Sequence, residues 1–203
     1  LQLINREVII KYLHQLLRID RRSAPLRVIG HEFPVKRSLT INVNGLDKQI
    51  ETGGRIDRLD EILVDGDNAR LRVVDYKTGG KAAESLKCVD DMFNPKFLSK
   101  KSDYTMQAML YSLIEAKDDS EHNPNHRAVS PALLFIQHAG SDDYTPVLSI
   151  DNEEVTDVTV YEEDFLRNLT EKLEEIHNPN IAFAPTDNTD SCKYCPYKQM
   201  CGR

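Results

Sequence analysis

The chain has 203 residues, 40% of them hydrophobic, which is enough for one sizeable core. No run approaches the ~18 apolar residues of a membrane helix, and no charged start followed by an apolar stretch marks a signal peptide, so the expectation is a soluble, cytoplasmic protein without a membrane partner. With 33 acidic against 26 basic residues and a formal net charge of −7, the composition argues against a free-standing protein that grips nucleic acid by bulk electrostatics, and any such contact must be local or come from neighbouring parts of a longer protein.

Residues 3–17 carry Leu3, Ile4, Val8, Ile9, Leu13, Leu16 and Leu17 near helical period, predicting an amphipathic helix with a broad buried face that ends near Asp20 and is closed by Arg21, Arg22 and Pro25. The first residue, Leu1, falls inside this pattern rather than at a methionine, which suggests a fragment of a longer protein. Residues 26–36 and 38–43 read as two strands, the second turning at Asn44-Gly45, the strongest short hairpin dipeptide. Residues 46–63 form a long strand with a bulge or bend expected at Gly53-Gly54, and residues 70–77 complete the meander. After Gly80 the periodicity dissolves into a lysine-bearing connection, residues 81–102, long enough to be a substrate-facing flap or a solvated insertion.

From Asp103 the period is helical again, with Met106, Met109, Leu110, Leu113 and Ile114 as the buried stripe. Residues 131–138 make a buried strand by their continuous apolar run, residues 146–150 a short edge strand, and residues 162–177 a second amphipathic helix stopped at Asn178-Pro179. Helix, three or four antiparallel strands, helix, strand, helix is an α/β (α+β) order, αβββαβ, with a mixed central sheet flanked by helices. We divide it into residues 1–184 and a cysteine-rich tail, 185–203, packed on that domain.

The stretch Gly54-Arg55-Ile56-Asp57-Arg58 and the stretch Val73-Val74-Asp75-Tyr76-Lys77-Thr78 flank Asp65-Gly66-Asp67-Asn68, a tight-turn signal between alternating runs. A hairpin turning about Gly66 sets Asp57 opposite Asp75, with Cβ atoms roughly 4.5–5.5 Å apart, and Lys77 points to the same face. Opposed carboxylates disfavour each other's ionised form unless a cation gathers them, and hard oxygen donors suit Mg²⁺ or Mn²⁺. Solvation, or pairing with Arg55 and Arg58, is the alternative. Three of the four cysteines, Cys192, Cys195 and Cys201, fall within the last twelve residues, a spacing that favours a metal or an iron–sulfur cluster over disulfides, with free thiols as the alternative.

Gly-x-x-Asp-Arg, Asp-Tyr-Lys-Thr, Gln107-x-x-x-Tyr111 and Cys192-x-x-Cys195-x5-Cys201, in that order, resemble the nuclease domain of the RecB/AddB-like branch of the PD-(D/E)XK superfamily. The resemblance implies a restriction-endonuclease-like core and a Mg²⁺- or Mn²⁺-dependent deoxyribonuclease. It further implies an exonuclease, part of a helicase–nuclease acting on single-stranded DNA or broken ends in double-strand break repair. Asp57, Asp75 and the backbone carbonyl of Tyr76 would hold the metal, with Glu32 assisting, and Lys77 would orient the attacking water. Gln107, Tyr111, Arg58 and Thr78 would contact substrate. The family's metal-site histidine has a candidate in His14, in a different sequence context, and its equivalent would otherwise lie upstream.

In that branch the three tail cysteines hold a [4Fe–4S] cluster with a fourth ligand from far upstream. Cys88, the only other cysteine, lies in the connection after the catalytic strand instead, and Zn²⁺ with His177 is the alternative. The competing function is a catalytically incomplete nuclease-like module that binds single-stranded DNA or a helicase partner.

Overall fold

A computed structural model describes residues 2–66, 68–117, 119–184, 186 and 189–202, without the side chains of residues 2–5, 190 and 191. Helix α1 (Gln2–Arg22) leads into strands β1 (Leu26–Val43), β2 (Leu46–Asp65) and β3 (Asn68–Lys77). Helix α2 (Ser102–Glu115), strand β4 (Val129–Phe135), the small ladder of β5 (Ser149–Ile150) and β6 (Glu153–Glu154), and helix α3 (Glu162–His177) follow. The main sheet runs β1-β2-β3-β4, antiparallel except for β4, which lies parallel to β3, giving the mixed sheet flanked by helices of a restriction-endonuclease-like fold.

The two strands expected over residues 26–36 and 38–43 are one. Arg37 and Ser38 pair with Thr52 and Glu51 without interruption, because an edge strand can send polar side chains to water. Pro34 is tolerated on β1 for the same reason, since that strand has a free edge. The hairpin closes at Asn44 and Gly45, both with positive φ, as a primed turn requires. The bulge expected at Gly53-Gly54 is not there: pairing passes through both glycines, and the register shifts instead between Val28 and Gly30. Gly53 is needed for another reason, because at φ +150° an added Cβ would sit 2.1 Å from the Val35 carbonyl oxygen.

Strand alternation then sorts the side chains of β3. Leu71 and Val73 enter the main core with Leu59, Met109, Leu113, Leu133 and Phe135, beneath α2 and α3. Val74 and Tyr76 face the other side, with Ile19 of α1, Ala132 and Leu134. Among the described side chains of α1, Ile19 is buried and Leu16 half-buried, while Val8, Ile9, Leu13 and Leu17, expected on a broad buried face, are exposed; the side chains of Leu3 and Ile4 lie outside those described. Leu86, Val89 and Met92 belong to the main core, so the connection after β3 is neither a free flap nor a solvated insertion over that length. Two short 3₁₀ turns, Val89–Phe93 and Pro95–Lys100, carry it to α2. The free side of β4 is covered by residues 146–148, where Leu133 N–H donates to Pro146 O at 2.8 Å and Leu148 N–H to Pro131 O at 3.0 Å.

Charge adds to the apolar contact of Ile19 in fastening α1 to the sheet. Asp60 is fully buried and accepts two hydrogen bonds from Arg72, at 2.8 and 3.1 Å, with Arg58 Nη2 2.9 Å away. Arg58 also grips Asp20 of α1 with both terminal nitrogens, at 3.1 and 2.9 Å, and Arg72 donates to Ser23 Oγ at 3.0 Å. Removing one partner of such a buried set strands the opposite charge, at a cost of about 3–5 kcal/mol. Asp60→Ala is therefore expected to lose about that much stability in urea unfolding, and a variant within ~1 kcal/mol of the parent would contradict the network's role.

Candidate active site

The β2–β3 ladder has the register that turning about Gly66 demands: Ile62 faces Arg70, Leu59 faces Val73 and Arg58 faces Val74. Asp67, on the other side of the turn, lies outside the described residues. Arg58–Val74 is the last pair before the strands part. There the next backbone donor of β3 on that side, Tyr76 N–H, bonds the Asp57 carboxylate at 2.8 Å instead of a β2 carbonyl. The Tyr76 carbonyl points the same way as its N–H, as both do within any strand residue, so it faces the gap beside Asp57. Lys77 O, on the opposite edge, accepts from Ile136 N–H at 3.1 Å.

Asp75 is buried on the α2 side, and its Oδ2 is paired with the Lys77 ammonium at 2.6 Å. Burial pushes the Asp75 pKa up and the Asp57 charge adds to that, while Lys77 opposes both. Lys77 Nζ also donates to Gln107 Oε1 at 3.4 Å and lies 4.3 Å from the Tyr104 ring centroid. Gln107 Nε2 in turn donates to Tyr111 Oη at 3.1 Å, the two residues standing one turn apart on α2. Tyr111 reaches back to β2: an added Cβ on Gly54 would sit 1.8 Å from its hydroxyl oxygen. The glycine of the first motif thus makes room for the tyrosine of the third, and a chain of contacts runs from Gly54 through Tyr111, Gln107 and Lys77 to Asp75.

Other residues singled out in the sequence lie elsewhere. Arg58, expected at the substrate, is buried on the α1 side in the Asp20–Asp60 network, because strand alternation turns it away from Asp57. The Tyr76 ring is on that side too, 5.6 Å from the Arg58 guanidinium carbon. Thr78 is exposed just past β3, its carbonyl accepting from Gln137 Nε2 at 2.8 Å. Glu32, with a φ of +52°, forms an exposed ion pair with Arg55 at 2.7 Å. His14 is exposed on α1. Pro185, at the expected start of the tail, lies outside the described residues.

Among the described residues no three Cys, His, Asp or Glu side chains converge as a metal-binding group. All four cysteines are free, and Cys88 and Cys201 are exposed. Three thiols within ten residues have the chemistry for a cluster, but among the described residues they do not converge as a metal-binding group, with or without His177. Residues that sequence reasoning missed are Tyr104 and Lys101. Tyr104 stands three positions before Gln107 and so on the same helical face, a signal that was available.

Residues 1–202 match the family model of the PD-(D/E)XK nuclease superfamily. The chain belongs to that superfamily. No curated protein and no solved structure gives a match. PD-(D/E)XK nucleases generally use divalent metals such as Mg²⁺ or Mn²⁺, and the family identifies this chain as a metal-dependent nuclease domain. No helix among the described residues is long and apolar enough to cross a membrane.

The contact between Gly54 and Tyr111 is testable by itself in this PD-(D/E)XK domain. Gly54→Ala should destabilise by about 1–3 kcal/mol, the usual cost of overpacking, and Tyr111→Leu in the same chain should recover part of that loss. A double-mutant cycle in denaturant showing strict additivity would separate the two residues.

Proposed function

We propose that the chain is a Mg²⁺-dependent deoxyribonuclease whose reaction is carried by Asp57, Asp75 and Lys77. The observation that bears the most weight is the meeting of two carboxylates where β2 and β3 part: Asp75 is buried, its pKa raised by burial against the Lys77 ammonium at 2.6 Å and raised further by the Asp57 charge, and Asp57 is fixed by the Tyr76 N–H at 2.8 Å. A buried carboxylate with a raised pKa is costly to keep, and oxygen donors of this kind fit a small hard cation. Asp57 and Asp75 would hold that ion, with the Tyr76 carbonyl as the third protein donor. Such an ion supplies Lewis-acid polarisation of a phosphodiester and a more acidic bound water.

The chain's own contribution is orientation and charge. Asp57 is fixed by the Tyr76 N–H, and Asp75 by burial and by Lys77. The Lys77 ammonium is pinned by Asp75, Gln107 and the Tyr104 ring, so its N–H groups are aimed before substrate arrives. It would orient the attacking water and meet the negative charge that develops on the phosphoryl oxygens. Gln107 and Tyr111 act here by positioning Lys77. The order of the motifs supports the RecB/AddB-like branch, and with it an exonuclease working beside a helicase on broken DNA ends. The absence of a third converging acid or histidine among the described residues favours the second reading, a module that binds single-stranded DNA or a helicase without cutting.

Cleavage of a labelled oligodeoxynucleotide with Mg²⁺ or Mn²⁺ distinguishes the two. Lys77→Ala should lower kcat at least about 100-fold with oligonucleotide affinity retained, and cleavage at the parental rate would remove Lys77 from the reaction. A chain that binds DNA but never cuts it would establish the second reading.

The ion itself can be tested by stability. Because the folded-state pKa of Asp75 is raised, the unfolded chain ionises first as pH climbs out of the ordinary carboxylate range. Stability is therefore lost through that window and stays lowered at neutral pH. A cation that binds only the ionised form returns stability. Mg²⁺ should raise the Tm at neutral pH, and the rise should fade as the pH falls into the raised range in which the buried Asp75 carboxyl takes up its proton, above the ordinary carboxylate range. Asp75→Asn should abolish the rise; an equal shift in that variant would move the ion elsewhere.

A further inference from the structure

Tyr104, on the same face of α2 as Gln107, carries two ammonium groups over its ring. Lys77 Nζ lies 4.3 Å from the centroid and Lys101 Nζ 4.9 Å. The two charges are therefore no further apart than those distances combined, which is about one Debye length at physiological salt. Lys77 has a counter-charge in Asp75. Lys101 has none: among the described residues no carboxylate stands within ion-pair distance of it, neighbouring Asp103 included. Lys36, Lys81 and Lys172 are each paired with a glutamate, whereas most other lysines, like Lys101, have no ion pair among the described residues; what sets Lys101 apart is its place over the ring that also holds Lys77.

The backbone at Lys101 is unusual as well. It has φ 64° and ψ 38°, the left-handed region, where it closes the 3₁₀ turn Pro95–Lys100 with its N–H on Leu98 O at 3.0 Å, and it occupies the N-cap of α2 without any side-chain cap bond. Asn, Asp, Ser or Gly would suit that place better, since they cap the helix or tolerate the conformation at lower cost. Non-glycine residues in such conformations gather at sites that bind ligands. Here the conformation accompanies a lysine ammonium held over the ring that also holds Lys77.

We propose that Lys101 binds a backbone phosphate of the nucleic-acid strand adjacent to the phosphate that is cut, and that Tyr104 is the positioning residue setting the spacing between Lys101 and Lys77. The inference rests on the nuclease reading of Asp57, Asp75 and Lys77. A cation over an aromatic face keeps N–H groups directed away from the ring, free to donate to phosphate oxygens. Lys101, with no carboxylate to compete, offers its whole charge to a polyanion. A strand whose scissile phosphate lies at Asp75 and Lys77 would reach it within one nucleotide step.

The test uses the full chain and a short single-stranded oligodeoxynucleotide. Initial rates are measured with Mg²⁺ over a range of salt, and binding is measured by fluorescence anisotropy with Ca²⁺ in place of Mg²⁺. Lys101→Ala should raise KM and Kd about tenfold, with kcat within about twofold, and should flatten the log Kd against log salt slope by about 0.7, the value of one phosphate contact on a single strand. Lys101→Arg should restore both. Tyr104→Leu should lower kcat and raise KM together, and Tyr104→Phe, which restores the ring, should rescue both. An unchanged salt slope in Lys101→Ala overturns the proposal. So does a loss of kcat with Kd intact, or a loss of binding that Lys101→Arg does not restore. A parent chain that binds but does not cut refutes the nuclease reading alone, and the anisotropy slopes still decide the role of Lys101. A parent that neither binds nor cuts overturns both.

Discussion

Past the Arg58–Val74 pair, β2 and β3 stop sharing backbone hydrogen bonds, and a side chain takes over: the Asp57 carboxylate accepts the Tyr76 N–H. A carboxylate in place of a carbonyl lets the ladder end without leaving a buried donor orphaned. It also parts the strands by the reach of a side chain. β3 keeps its parallel pairing with β4 as far as Lys77 and Phe135, so Asp75, Tyr76 and Lys77 are held rigidly from one edge while the other opens towards Asp57. The gap that would serve a metal is thus made by the same hydrogen bond that keeps the sheet intact.

Strand alternation divides the work between the two faces. The α1 side is stabilised by ion pairs, with Asp60 enclosed by Arg58 and Arg72 and with Asp20 reaching in from the helix. There the charges compensate one another. On the α2 side Asp57, Asp75 and Lys77 share one patch, and burial keeps the Asp75 pKa raised despite the lysine. Arg58 and Asp57, neighbours in one motif, belong to opposite sides of this division.

Much of this was legible in the sequence. Period-two alternation and the Asn44-Gly45 and Gly66 turns predict β2, β3 and, as two pieces, β1, and turning about Gly66 sets Asp57 opposite Asp75. The spacing of Gln107 and Tyr111 put both on one helical face. What could not be read was which face each alternating residue would meet. Arg58 sits beside Asp57 in sequence, yet its partners Asp20 and Asp60 are chosen by where α1 docks, a tertiary decision. Gly53 and Gly54 suggested a bend because glycine weakens strands, whereas here one avoids the Val35 carbonyl and the other admits Tyr111. The 81–102 connection lacked a clear period, because its buried residues Leu86, Val89 and Met92 lie on irregular backbone and 3₁₀ turns rather than on a regular helix or strand.

The parallel pairing of β3 with β4 bears on how the domain assembles. Strands β1, β2 and β3 are joined by tight turns and can zip from local contacts, but β4 arrives only after the long crossover from residue 78 to residue 128. Closing a loop of that size before its contacts form is slow, so parallel pairings tend to come late. Until it happens, β3 is an uncovered edge strand rich in buried-type residues, Leu71, Val73 and Val74, the kind of edge that recruits other chains. In this topology the strand that bears Asp75 and Lys77 is also the one most exposed to misassociation during synthesis.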